Sequence, residues 1–135
     1  MVPEITYTTG KLVSEARQKF NESWVTQIVR LYAGSPFLEF ESTVGPIPIA
    51  DGLGKEVITR FTTNLDTKNI IYTDSEGQEF LQRKLDARPY WDYNVTETVA
   101  SNYYPMNTGA YIKDSSNQFT YVLFSIKKFE KFQSL

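Results

Sequence analysis

The chain consists largely of short runs that alternate apolar and polar residues, separated by clusters of Gly, Pro, Asn, Asp and Ser. Alternation with a period of two is typical of β-strands, so the pattern leaves room for helices only near the two ends. The clearest half-buried strand is residues 37–44, where Leu38, Phe40 and Val44 are predicted to face inward. Residues 24–32 carry apolar side chains on both faces, as in a strand that is packed on two sides.

Two β-hairpins are predicted in the second half of the chain, with turns at residues 74–77 and 114–117. Both turn segments are rich in Asp, Ser, Asn or Gly, which favour tight reversals of the backbone. The first turn is flanked by strands predicted at residues 69–72 and 79–84, and the second by strands at 111–113 and 118–124. A further strand is predicted before them at residues 56–63. Residues 85–105 are rich in aromatic side chains without a clear period, which predicts a long loop with short strands.

Short strands at regular spacing predict an all-β chain, specifically a β-sandwich segment. Residues 15–20 are too short and irregular to assign. Residues 125–135 space Phe129 and Phe132 three apart beside three lysines, which would suit a weak amphipathic helix.

The composition excludes several kinds of chemistry. The chain contains no His and no Cys, which removes histidine bases, cysteine nucleophiles, disulfides and nearly every zinc site. The net charge is −2, so the chain lacks the excess of basic residues that would favour binding to nucleic acid or to a membrane surface. The first residues lack the basic start and apolar run of a signal peptide, and the apolar runs are far shorter than a membrane span.

Paired carboxylates are the first catalytic pattern to consider, because glycoside hydrolysis uses two of them. Asp86, Asp92 and Glu97 cluster in the predicted loop. Acidic side chains are common in solvated loops, and this interpretation is favoured here. No catalytic and no metal-ligating residue is therefore assigned.

An aromatic cluster in the same segment is a stronger signal. Tyr90, Trp91, Tyr103 and Tyr104 are candidate carbohydrate-contacting residues, because flat rings suit the C–H faces of sugars. The favoured alternative is that these rings pin the loop onto the sandwich core.

Two sequons offer candidate N-glycosylation sites at Asn21 and Asn94. Asn94 lies in a polar stretch of the loop. Asn21 is followed closely by Trp24, which would pull that segment inward.

Three longer motifs carry a resemblance to a known family. They read VGPIPI at residues 44–49, continuing as DGLGKEVITRF at 51–61; YTDSEG at 72–77, with RPYW at 88–91; and NYYPMN at 102–107, with YIKD at 111–114. In order and spacing these motifs resemble class II α-mannosidases of the lysosomal type, glycoside hydrolase family 38. The resemblance covers roughly residues 10–123 and places the chain in the β-rich region that follows the catalytic domain.

The resemblance implies a zinc-dependent, retaining α-mannosidase that trims α-mannose from N-glycans, with its nucleophile and zinc ligands outside this chain. Zinc is then expected in the full-length parent and no cofactor on this chain. The expected partners are the rest of the α-mannosidase chain and mannose-containing glycans. The parent is expected to be lysosomal, vacuolar or secreted. Residues 1–123 form the family-like segment, and residues 124–135 a divergent tail, since the family continues differently after residue 123.

Two other interpretations remain open. The chain could be a free-standing carbohydrate-binding β-sandwich module without catalysis. It could also be a truncated product with an unpaired sheet and no function of its own.

Overall fold

A computed structural model describes residues 3–20 and 24–123 of the 135-residue chain. The backbone contacts divide the chain into two compact units, residues 1–60 and 61–135. The strands are β1 Glu4–Thr9, β2 Val13–Lys19, β3 Val25–Tyr32, β4 Leu38–Val44, β5 Ile70–Ser75, β6 Glu79–Lys84, β7 Gly109–Lys113 and β8 Gln118–Val122. The described residues are thus all-β apart from the short 3₁₀ helix Ala100–Asn102, which confirms the predicted fold class.

The first unit contains a four-stranded antiparallel sheet in the order β1-β2-β3-β4. Each strand pairs with the next along the chain. In the register of β3, Arg30 lies opposite Glu15 on one side and Glu39 on the other. Because side chains alternate between the faces of a sheet, these three residues share one face. Residues 24–32 and 37–44 are therefore strands, as predicted, to within one residue.

The charged face of this sheet is organised around Arg30. We define the charged face as Glu15, Arg17, Arg30, Glu39 and Glu41. Arg30 donates to Glu15 at 2.9 Å, to Glu39 at 2.8 Å and to Glu41 at 2.7 Å. Hydrogen bonds from Arg30 and then from Arg17 hold the pKa of Glu15 below its usual value. The pairing joins β2, β3 and β4 across the sheet.

The opposite side of the same sheet carries both apolar and polar side chains. Its polar residues include Ser14, Gln18, Gln27 and Ser42. We use the name apolar face for its residues Ile5, Tyr7, Ala16, Val29, Leu31, Leu38 and Phe40. The predicted alternation along β4 is confirmed, but the prediction that Leu38 and Phe40 are buried is wrong, because both are exposed. Glu39 and Glu41 lie on the charged face, where each accepts from Arg30 while 42% and 36% of their side chains stay exposed.

The second unit contains the other antiparallel sheet, in the order β6-β5-β7-β8. Thr73 in β5 and Ala110 in β7 are paired in the register and are both buried. Phe61 packs next to this sheet, with its ring centre 5.1 Å from that of Phe119 and 5.5 Å from that of Tyr121. Phe61 and the rings of β8 therefore form one side of the small core of this unit.

Both predicted hairpins are present, and the turn chemistry explains them. Glu76 and Gly77 connect β5 to β6 with positive φ angles of 54° and 73°, and the Gln78 N–H donates to the Ser75 carbonyl at 3.0 Å. Two central residues with positive φ match the twist of a hairpin. In the second hairpin, the Asp114 carboxylate accepts from the N–H groups of Ser116 and Asn117.

Three segments differ from the prediction. Residues 56–63 were predicted as a strand but lie outside both sheets. A period of two shows that a segment could be a strand, but it does not show whether the segment has a strand to pair with. Residues 15–20, unassigned by pattern, belong largely to β2, and β1 was not predicted at all. The loop after β6 contains a 3₁₀ turn in place of short strands. The helix suggested for residues 125–135 lies outside the described residues.

Candidate functional site

Residues 85–108 connect β6 to β7 and contain all four aromatic residues that the sequence marks as carbohydrate contacts. We call this segment the aromatic loop. Its 3₁₀ helix, Ala100–Asn102, turns the chain back toward β7. Contacts from Arg88, Asp86 and Asp74 hold the loop in place.

Arg88 joins distant parts of the aromatic loop. Its Nη1 donates to the Ala87 carbonyl at 2.9 Å and to the Tyr104 hydroxyl at 2.6 Å, and its Nη2 donates to the Ser101 carbonyl. The guanidinium carbon lies 4.5 Å from the centre of the Tyr93 ring and 5.1 Å from that of Tyr104. A planar cation can donate in its plane and stack on rings, so Arg88 organises the loop from inside.

Tyr104 lies between two cations. Its ring centre is 5.0 Å from the guanidinium carbon of Arg83 in β6 as well as 5.1 Å from that of Arg88. The side chain is half-buried, and its hydroxyl accepts from Arg88. These contacts are those of a residue that pins the loop to the sheet.

The other three candidate residues lie at the surface. Tyr90 is 90% exposed, Trp91 61% and Tyr103 62%. Exposed rings in a braced loop have the chemistry to stack on sugar rings. Carbohydrate contact by Tyr90, Trp91, Tyr103 and Tyr104 nevertheless stays a prediction.

Asp74 fixes the end of the aromatic loop. This residue is the second-last of β5 and is 1% exposed. Its Oδ1 accepts from the N–H groups of Asn107 at 2.9 Å, Thr108 at 3.0 Å and Gly109 at 3.1 Å. Its Oδ2 accepts from the N–H of Gly77 at 3.1 Å in the hairpin turn. One carboxylate thus joins the β5–β6 turn to the start of β7.

The surroundings of Asp74 change its acidity. Burial alone would raise the pKa, because it penalises the charged form. The backbone donors at Gly109, Thr108 and Asn107 favour the charge, and the net result is a pKa lowered to about 2. The carboxylate is therefore ionised at any neutral or moderately acidic pH.

The carboxylates of the aromatic loop differ in their surroundings. Asp86 accepts from the Asn102 side-chain amide at 2.8 Å, and its own N–H donates to Asn102 at 3.0 Å, which closes the loop on itself. Asp92 and Glu97 are exposed. In the described part of the chain, no group of three His, Cys, Asp or Glu side chains could hold a metal ion.

Of the two sequons, only one can be located. Asn94 is exposed in the aromatic loop, where a glycan has room. Asn21 lies outside the described residues. Within residues 3–20 and 24–123, no helical segment has the length and hydrophobicity of a membrane span.

Comparison with known proteins decides the family. Residues 2–124 match the C-terminal domain of glycosyl hydrolases family 38. The chain is 56% identical to the lysosomal α-mannosidase of Felis catus over 109 residues, 81% of this chain and 11% of the relative. The chain belongs to glycoside hydrolase family 38. The predicted resemblance is therefore confirmed.

Other family 38 relatives agree. The chain is 55% identical to the human lysosomal α-mannosidase over 109 residues, 81% of this chain and 11% of the relative. It is 51% identical to an α-mannosidase of Canavalia ensiformis over 113 residues, 84% of this chain and 11% of the relative. The family 38 chain thus spans about 11% of the length of these relatives.

Sequence reasoning missed the two residues that hold the site together. Asp74 is within a typical turn motif, and nothing local reveals that its partners are 33 to 35 residues away. Arg88 resembles any loop cation until the ring of Tyr104, 16 residues further on, is placed beside it. Both roles depend on contacts that only the fold creates.

Proposed function

We propose that this chain is a structural segment of an α-mannosidase that hydrolyses α-mannosidic bonds of N-glycans by zinc-dependent, retaining chemistry. Its own part is to brace the catalytic region and to present the aromatic loop toward glycan. The observation that carries the proposal is the family match over residues 2–124, with α-mannosidase relatives at 51 to 56% identity.

The residues of this chain do not fit a zinc site. The sequence has no His and no Cys, and no group of three carboxylates converges in the described residues. We propose that the zinc of the parent lies outside this chain, where the family resemblance also implies its nucleophile, and we assign no catalytic step to the residues of this chain.

A lysosomal, vacuolar or secreted parent suits this segment. The feline and human relatives are lysosomal α-mannosidases. The structural carboxylates of this chain also favour their charged form in mild acid, since the pKa values of Glu15, Asp74 and Asp114 are all lowered.

Segment exchange tests the proposed function. The matched 109 residues of the feline enzyme are replaced by those of this chain, and the secreted chimera is assayed on a chromogenic α-mannoside with and without a chelator. We expect zinc-dependent activity within about tenfold of the feline enzyme, and none from the isolated chain supplied with zinc. A secreted but inactive chimera, or mannose release by the isolated chain, would contradict the proposal.

The exposure of Tyr90, Trp91 and Tyr103 also favours the second candidate function, a free-standing carbohydrate-binding module. The isolated chain is titrated with a mannose oligosaccharide by NMR. If the aromatic loop contacts glycan, Trp91→Ala should weaken the binding. Tyr7→Ala, at a 74% exposed site outside the loop, should leave the binding unchanged. Tight binding by a stable monomer would favour the module over the enzyme segment.

A further inference from the structure

Lys55 closes the segment after β4 into a compact loop, which we call the Lys55 loop and define as residues 48–55. The Lys55 Nζ donates to the Pro48 carbonyl at 2.9 Å and to the two carboxylate oxygens of Asp51 at 2.6 and 2.7 Å. The Leu53 N–H donates to Asp51 Oδ1 at 3.1 Å, as in an Asx turn. These partners all lie within the loop, so the arrangement needs no contact with another part of the chain.

The residue after Asp51 is a glycine, and this pair has a specific chemistry. The sequence contains one Asp–Gly bond, at Asp51–Gly52, and no Asn–Gly bond. Gly52 has a φ of 68°, and its N–H donates to the Ile49 carbonyl at 3.0 Å. Glycine adopts this φ without strain and has no side chain to obstruct attack by its own nitrogen on the preceding carboxyl group. Asp51–Gly52 is therefore the bond of this chain best suited to forming a succinimide.

The reaction needs no co-reactant other than water. The Gly52 nitrogen forms a bond to Cγ of Asp51, and the carboxyl hydroxyl leaves with the amide proton as one water. The product is a five-membered succinimide ring. Water then cleaves one of the two bonds from this nitrogen to a carbonyl carbon. Cleavage at Cγ restores aspartate, and cleavage at the backbone carbonyl carbon gives isoaspartate, whose main chain runs through the former side chain.

The contacts of the Lys55 loop oppose the first step. A carboxyl group must be protonated to leave as water, and the hydrogen bond from Lys55, followed by that from the Leu53 N–H, holds the pKa of Asp51 below its ordinary value of 3.8. The same bonds fix the orientation of the carboxylate, and the Ile49 carbonyl engages the Gly52 N–H. Lys55 is the contact that binds both carboxylate oxygens.

We propose that Asp51–Gly52 is a site of spontaneous isoaspartate formation and that Lys55 sets its rate by holding the Asp51 carboxylate. The inference is independent of the proposed function, because it concerns a covalent change within residues 48–55. Conversion to isoaspartate adds one methylene to the main chain and removes the side-chain carboxylate that Lys55 binds. The modification therefore opens the loop that slows it.

Two lysine variants form a matched test. Lys55→Gln removes the ion pair with Asp51, and Lys68→Gln removes the ion pair between Lys68 and Asp66 in a different segment. Both variants and the unsubstituted 135-residue chain are incubated at one mildly acidic pH, folded and in denaturant. Circular dichroism checks the fold. After digestion, mass spectrometry detects the succinimide by the loss of one water and isoaspartate by its backbone fragments.

The expected rates differ between the folded and the denatured chains. In the folded chain, Lys55→Gln should raise the conversion at Asp51 by more than about threefold, because each unit of pKa changes the protonated fraction about tenfold. Lys68→Gln should leave the rate within about twofold of the unsubstituted chain. In denaturant the three chains should convert at one rate, which exceeds that of the folded unsubstituted chain.

Four results would overturn the proposal. The first is the absence of succinimide and isoaspartate at Asp51 in every sample, including the denatured ones. The second is an equal rate for the folded unsubstituted and Lys55→Gln chains. The third is an acceleration by Lys55→Gln that persists in denaturant, because it would arise from the neighbouring sequence and not from the loop. If Lys55→Gln unfolds the chain, the unsubstituted protein still decides, since a folded rate equal to or above its denatured rate is the fourth.

Discussion

At the scale of single residues, Asp74 joins segments that are far apart in sequence. Its folded pKa of about 2 lies below the ordinary value of 3.8, so its stabilising contribution is complete above about pH 4 and is lost as the pH falls toward 2. We expect Asp74→Asn to lower the melting temperature at pH 7 by more than about 5 °C, because the new amide donors face backbone donors.

The Asp74 prediction has an independent measurement. An NMR titration of the unsubstituted chain should give this carboxyl a midpoint near 2. A midpoint for Asp74 at the ordinary value of 3.8 would contradict the assigned role of its backbone donors.

Asn94 gives a second prediction at this scale. If the parent enters the secretory pathway, Asn94 should carry a glycan, because its sequon is exposed in the aromatic loop. Mass spectrometry of chain expressed in a glycosylating host measures the occupancy. Thr96→Ala should abolish the modification there, with Thr8→Ala as a control outside the sequon. An unmodified Asn94 in efficiently secreted protein would count against the prediction.

At the scale of elements, the features that depend on neighbouring residues could be predicted from the sequence, whereas those that depend on tertiary contacts could not. The two hairpins follow from residues 74–77 and 114–117, where the turn residues act on their own neighbours. Residues 56–63 have the same alternation as a strand but lie outside both sheets. Pairing is decided by partners elsewhere in the chain, which periodicity does not encode. The exposure of Leu38 could not be predicted from the sequence for the same reason.

Two glycines of the second unit give a matched test of element structure. Gly77 has a φ of 73° with only Thr108 Cγ2 near its missing Cβ, at 3.7 Å, so Gly77→Ala should cost about 1 kcal/mol from backbone strain. At Gly109 a Cβ would lie 2.9 Å from the Tyr121 carbonyl oxygen. In denaturant unfolding, Gly109→Ala should therefore lower the free energy of unfolding by more than Gly77→Ala does, because the backbone must move to admit the new Cβ. Equal losses in the two variants would contradict this account.

At the scale of the whole molecule, pH should matter little between mild acid and neutrality. The chain has no His, the residue type whose reference pKa lies nearest to neutrality, and no Cys. Proton uptake on unfolding is then small, so we expect the free energy of unfolding to be nearly flat from about pH 5.5 to 7. Denaturant titrations at several pH values measure it. A change of more than about 1 kcal/mol across this range would be inconsistent with that expectation.

We propose that this chain is part of a larger family 38 protein, since its match covers only 11% of the feline relative. Ala110 is the only buried apolar residue in the part of the chain that the structure describes, although 41% of the full sequence is hydrophobic. Sedimentation velocity of the isolated chain over a concentration series tests this most directly. We expect the average sedimentation coefficient to rise with concentration, because exposed apolar side chains associate. A single monomeric species at all concentrations, with a sharp, reversible and concentration-independent melt, would contradict it.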